Sequence, residues 1–273
     1  MLRSNKNKSN SKEDGIAFKN GSLQHNLFIL QSLISKDFKL KYRRSILGIV
    51  WSILNPLLMM CVLTAVFSFM FRFQIENYPL YLILGSILFS LMSGSTTSAM
   101  TSIINASRLI KKVKIEKAIF PVERVLFELL NFTISLIAVV AVMAFFQVVP
   151  TFNLLLLPLL LFYVVLFSIG LGLLLSSLAV FFQDIIHLWG VVTTAWTYAT
   201  PIFYPFEMLP VWMQNLMYWN PMYQFITYFR DIVMWNITPD LTMNLLCFSM
   251  AAVTFVLGIV VFRKTEKKFI LYI

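Results

Sequence analysis

Charged side chains are missing from long stretches of this chain and crowded between them. Uncharged runs cover 45–71, 77–107, 129–183 and 241–262, and the run 185–206 holds His187 as its only ionisable group. A helix needs about 20 predominantly apolar residues to cross a bilayer, and each run reaches that length. The run 129–183 has 55 residues, too many for one helix. Gln147, Pro150, Thr151 and Asn153 carry its turn chemistry, so it reads as two helices joined by a tight hairpin. The pattern predicts an all-α membrane protein with six transmembrane helices, at about 45–71, 78–105, 122–147, 153–182, 185–206 and 241–262.

A different period precedes the first span. Leu23, Leu27, Leu30, Ile34 and Phe38 recur at helical spacing, with Ser32, Lys36, Lys39 and Arg43 roughly opposite. Such a helix, over 23–44, is amphipathic and too polar to span, and it is expected in the interface plane. Residues 1–22 are rich in Asn, Ser and Lys and have no apolar core of a signal peptide, so a disordered cytosolic tail is expected. The segment 207–240 carries Trp212, Tyr218, Trp219, Tyr223, Tyr228 and Trp235 together with Pro210, Pro221 and Pro239. Its prolines argue against one continuous span and suit short broken helices, while its aromatics suit a membrane–water interface.

Composition agrees with lipid as the solvent. The chain of 273 residues is 59% apolar and 12% charged, against about a quarter charged in soluble domains. The net charge of +10 does not make a nucleic-acid surface, because the charges fall in a few places. Of the 22 Lys and Arg residues, 20 lie before the first span, around 108–124, or after the last span. With six spans those segments share one side, and the positive-inside rule makes it cytoplasmic, with both termini. Arg72 and Arg230 are the exceptions.

Several chemistries are then excluded. No Asp, Glu, Lys or Arg falls well inside a predicted span, and Glu128 and Asp184 read as border groups, which disfavours ion-coupled transport. His25 and His187, far apart, make no catalytic cluster, and Cys61 and Cys247 lie in apolar runs without metal-ligand spacing. None of the nine glycines is followed by Lys, so the chain has no P-loop and any ATP is spent by another subunit. The basic loop 105–128 is the place for such a subunit to press. Leu109, Ile110 and Val113 form a small apolar stripe there among Lys111, Lys112 and Lys114, and Pro121 breaks the segment before the third span. Ser86, Ser90, Gly94, Ser98 and Ser102 repeat every four residues in the second span, a stripe for close helix packing.

Together KYRRSILGIVWSILNP (41–56), the N…RLIKK…FP loop, TPIFYP (200–205) and the later NPM (220–222) resemble one family. From about residue 25 onward the chain is similar to the membrane subunit of type-2 ABC exporters, in particular the bacterial polysaccharide branch serving O-antigen, capsule and teichoic acid. The resemblance implies a multi-pass permease of the bacterial cytoplasmic membrane, working as a homodimer with two copies of a P-loop ATPase. It implies no cofactor in this chain, with ATP and Mg held by the partner, and a lipid-linked polysaccharide as substrate. Leu47 and Gly48 would join interface helix to first span. Ser107, Arg108, Leu109, Ile110, Lys111, Lys112, Val113 and Lys114 would belong to the helix that couples to the ATPase. Spans one and five would line the pathway, making Trp51, Phe67, Trp196, Tyr198, Phe203 and Tyr204 its candidate aromatics. The segment after span five would re-enter the membrane from outside. Lys41, Arg43 and Arg44, at headgroup depth beside that pathway, suit a lipid phosphate. Export of a drug, lipid or peptide on the same fold is the alternative, and a non-transporting scaffold a more distant one.

Overall fold

The computed structural model describes residues 23–43, 47–71, 75–113 and 115–272. The expected tail 1–22, Arg44, Arg72 and Lys114 lie outside the described residues. Among the described residues every regular element is helical: α1 (Leu23–Tyr42), α2 (Val50–Phe71), α3 (Tyr78–Asn105), α4 (Ser107–Lys112), α5 (Ile119–Phe145), α6 (Leu157–Phe181), α7 (Asp184–Ala199), α8 (Val211–Met217), α9 (Pro221–Arg230), α10 (Leu241–Thr265) and α11 (Phe269–Tyr272). The starts of α9 and α10 are capped by side chains. Asn220 accepts from the amides of Met222 and Tyr223, with Pro221 at the first turn, and Asp240 accepts from the amide of Met243.

Five of these helices are long and apolar enough to cross a membrane: α2, α3, α5, α6 with its 3₁₀ lead-in from Phe152, and α10. The predicted fifth span is shorter than expected. Instead of running over 185–206, α7 stops at Ala199 after 16 residues, about 24 Å of helix. Pro201 explains the stop, since the residue before a proline is pushed out of the helical region. Thr200 is accordingly extended, at φ −82° and ψ 136°. The predicted third span also begins earlier, at Ile119, with Pro121 accommodated as its third residue. Glu123, Arg124 and Glu128 lie in the first ten residues of α5.

Helix α3 is the hub, packed against α2, α5, α6, α7 and α9. α6 and α10 meet in backbone contact. A Cβ on Gly258 would sit 2.0 Å from the carbonyl oxygen of Gly170, and one on Gly170 would sit 2.5 Å from the backbone of Phe255. Only glycine at both positions allows that backbone contact. Between α5 and α6 the chain turns at Gln147, φ 56°, where the amide of Val148 reaches back 2.9 Å to the carbonyl of Met143. α2 continues through Pro56 as one helix.

The basic segments gather at one end of the bundle. Ile110, Phe120, Phe262 and Phe269 share a buried cluster, with Leu33 of α1 packed against it. Asn26 donates to Glu116 at 2.7 Å, and the Lys117 ammonium donates to the Glu266 carbonyl and lies over the Phe269 ring. Asp37 on α1 meets Arg124 on α5 at 2.6 Å.

Candidate functional site

At that same end, between the close of α1 and helices α2, α3 and α5, lies a cavity of ≈ 450 Å³. Its wall is a hydrogen-bonded set. The Tyr42 hydroxyl lies 2.7 Å from Ser52 Oγ and donates to Asn131 Oδ1 at 2.9 Å. Asn131 Nδ2 donates to the Glu128 carboxylate at 3.1 Å, and Ser135 donates to the Ser52 carbonyl at 3.0 Å. Lys41, Trp51, Asn55, Pro56, Ser86 and Ser90 also line it, and Gly48, Met59, Ile87, Leu91 and Phe132 complete the lining. Ser86 and Ser90 come from the small-residue stripe of α3, so part of that stripe faces open space and not a helix. Trp51 is 48% exposed. Leu47 and Gly48 form the turn into α2, and Gly48 has φ 43°, a value that favours glycine.

Of the three predicted phosphate ligands, the two described, Lys41 and Arg43, are not brought together. Lys41 lines this cavity, its ammonium over the rings of Tyr42 and Phe127. Arg43 falls instead on a surface hollow with Lys36 and Lys39, on another face of α1. Arg44 lies outside the described residues.

The predicted pathway aromatics divide into three. Trp51 stands at one end of α2. At the other end Phe67 stacks on Phe203, centroids 5.7 Å apart, and Tyr198 lies 5.9 Å from Phe203. Tyr204 donates to the Tyr198 carbonyl at 2.7 Å, so four of the six aromatics form one cluster. Trp196 turns inward, its indole N–H donating to Asn220 Oδ1 at 2.9 Å and its ring against Phe89 and Phe167.

Beneath the aromatic cluster sits Arg230, 2% exposed. Its guanidinium donates to the carbonyls of Tyr81 (3.1 and 3.3 Å), Pro201 (3.0 Å) and Ile202 (3.1 Å) and lies over the Tyr81 ring. The Tyr81 hydroxyl donates to Pro201 and Tyr204, and the Tyr78 hydroxyl to Phe203. Every carbonyl from 201 to 204 is thus met by a side chain of α3 or α9. Non-helical backbone in an apolar medium requires that satisfaction. Gly85 makes the room, since a Cβ there would lie 2.8 Å from the guanidinium. Asn220 adds a link to Thr200 Oγ1 at 3.0 Å. Sequence reasoning passed over Arg230, although its isolation from the basic segments was the available signal.

In the candidate coupling element α4, the apolar stripe splits. Ile110 is buried under the α10 end, whereas Leu109 and Val113 are exposed with Arg108, Lys111 and Lys112; Ser107 is half-buried. One residue along a helix is a turn of 100°, so neighbours at 109 and 110 cannot share a face. Lys114 lies outside the described residues. No group of three or more His, Cys, Asp or Glu able to hold a metal occurs among the described residues.

An all-helical membrane bundle with a broken seventh helix and a short basic surface helix defines a class, and sequence comparison identifies it. Residues 29–234 match the ABC-2 type transporter family, and the chain belongs to that family. It is 28% identical over 242 residues to the O-antigen export system permease protein RfbA of Klebsiella pneumoniae, covering 88% of this chain and 93% of that protein. It is 30% identical over 215 residues to the protein of the same name from Myxococcus xanthus, covering 78% of this chain and 82% of that protein.

Proposed function

We propose that this chain is the permease subunit of an ATP-driven exporter carrying a lipid-linked polysaccharide across the bacterial cytoplasmic membrane. The carrying observation is similarity along most of its length to permeases named for O-antigen export. Two chains pair through α2 and α7, whose outward faces include Trp51, Val62, Val66, Val191 and Tyr198. The passage runs between them, from the Trp51 end to the cluster of Phe67, Tyr198, Phe203 and Tyr204. Helix α7, continued by 200–204, makes the sixth crossing, and α8 and α9 re-enter from outside, leaving both termini cytoplasmic. α1 lies along the inner interface. Aromatic faces suit the C–H faces of sugar rings and hold them with few directional bonds, so a polymer slides. Lys41 and Arg43 meet phosphate groups of lipids.

A separate P-loop ATPase, two copies per dimer with ATP and Mg, docks on Leu109, Val113 and the α4 cations. Ile110 carries its displacement into the cluster of Phe120, Phe262 and Phe269. The relatives favour polysaccharide over a drug, lipid or peptide cargo. The test is a strain lacking its own O-antigen permease, supplied with this chain together with an ABC-exporter ATPase subunit from the same organism. Restored surface polymer is expected. Full export without any ATPase, or restored drug resistance without polymer, would overturn the reading.

A further inference from the structure

Glu128 is the unexplained group of the inner cavity. It is the tenth residue of α5, about 13 Å along the helix from Ile119. It shares the basic end of the bundle with Lys41, and both line the cavity. Among the described residues it makes no ion pair. Among the described residues its one hydrogen bond is from Asn131, leaving acceptor capacity directed at the cavity it lines. Asn131 is itself fixed by Tyr42, and Tyr42 is held by Ser52. The carboxylate is therefore positioned by a chain of side chains from α1, α2 and α5. Facing the same space are the half-exposed Trp51 ring, the Asn55 amide and, at the rim, Lys41.

We propose that this cavity is a glycan subsite, holding one hydroxyl-rich sugar ring next to the phosphate of a lipid carrier. Glu128 accepts from vicinal hydroxyls, Trp51 covers an apolar ring face, and Lys41 sits beside the phosphate. Met59, Ile87, Leu91 and Phe132 also line the cavity and offer contact to an apolar group, but the Glu128 carboxylate is used only by a ligand that bears hydroxyls. A sugar uses all three groups. The subsite fixes the lipid-proximal sugar before the polymer enters the passage, and this rests on the polysaccharide reading above.

The test uses the permease–ATPase complex in lipid nanodiscs and two radiolabelled probes, a prenyl pyrophosphate disaccharide and the same prenyl pyrophosphate without sugar. Wild type is expected to bind the sugar-bearing probe about tenfold more tightly, the effect of one good charge-assisted hydrogen-bond pair. Glu128→Gln should remove most of that difference while sugar-free binding stays within about twofold, on the same single-bond reasoning. Trp51→Leu should reduce the difference, and Lys41→Gln should weaken both probes alike. Equal affinities in wild type, or an undiminished difference in Glu128→Gln, would overturn the subsite. Surface polymer in the complemented strain reads the export function separately. Its loss removes the premise, whereas equal affinities with export intact remove the glycan subsite alone.

Discussion

Helices α2 and α3 are neighbours in sequence and space, yet their fates differ. The most apolar stretch of α2 has a mean hydropathy of 2.0 and is 6% buried; that of α3 has 1.4 and is 72% buried. The less hydrophobic helix is the more deeply packed. In water this would be paradoxical, but lipid chains are as apolar as leucine, so hydropathy does not draw a helix inward. Close packing does. Thr96 and Ser102 of α3 bond their own backbone, and Gly85 admits the Arg230 side chain, so neighbours come near on several sides. α2 keeps large side chains exposed, such as Leu58, Met59 and Val62. One helix is scaffold and the other is a wall awaiting contact.

That contrast breaks most severely in the scaffold. Gly258→Val places a side chain where the Gly170 carbonyl already lies, and α6 and α10 must separate. The expected outcome is no monodisperse complex by size-exclusion chromatography in detergent, while Val253→Ala, at an exposed position of the same helix, leaves the elution profile unchanged. A normal profile for Gly258→Val would mean that the two helices do not cross in backbone contact.

Arg230→Met comes next. It leaves the carbonyls of Pro201 and Ile202 without their guanidinium donors, and each charge-assisted bond contributes about 1.5–3 kcal/mol. With Tyr81 still bonded to Pro201 and Tyr204, a loss of about 3 kcal/mol is expected from that bond strength. It should appear as a fall in melting temperature and as new thiol reactivity of a cysteine placed at 203. Arg230→Lys cannot reach three carbonyl groups at once and should recover less than half of the loss. Unaltered melting in Arg230→Met would show that the 200–205 segment is held by other contacts.

The smallest structural effect belongs to the wall. Trp51→Leu with Tyr198→Leu alters two exposed rings, and stability should move by no more than about 0.5 kcal/mol. Surface polymer should nevertheless fall strongly while ATP hydrolysis continues. Normal polymer in the double variant would remove both rings from the passage, and a large loss of stability would move them into the scaffold.

Much of this architecture was legible along the chain because lipid imposes it. Backbone groups in hydrocarbon must be bonded within a segment, so charge-free length reads directly as helix, and the turn residues 147–153 mark a hairpin. The basic residues of α1, of the segment around α4 and of the close of α10 share one end of the bundle. The extent of α7 was misjudged because a missing charge does not end a helix, whereas Pro201 does. Arg230 and Glu128 escaped for another reason. A lone cation outside the basic segments and a carboxylate at the start of a span show no role until partners distant in sequence are in place.

By itself the sequence determined which stretches are helical, which ends carry the charge and which family motifs stand at the junctions, since each depends on neighbours close along the chain. Only the tertiary structure decided which face of each helix turns inward. When lipid and protein interior are equally apolar, composition does not determine rotation about the helix axis. That rotation placed Ile110 inside and Leu109 out, and turned Trp196 away from Tyr198. It also brought Arg230 to carbonyls 28 and 149 residues distant, and set Glu128 on a cavity built from four helices.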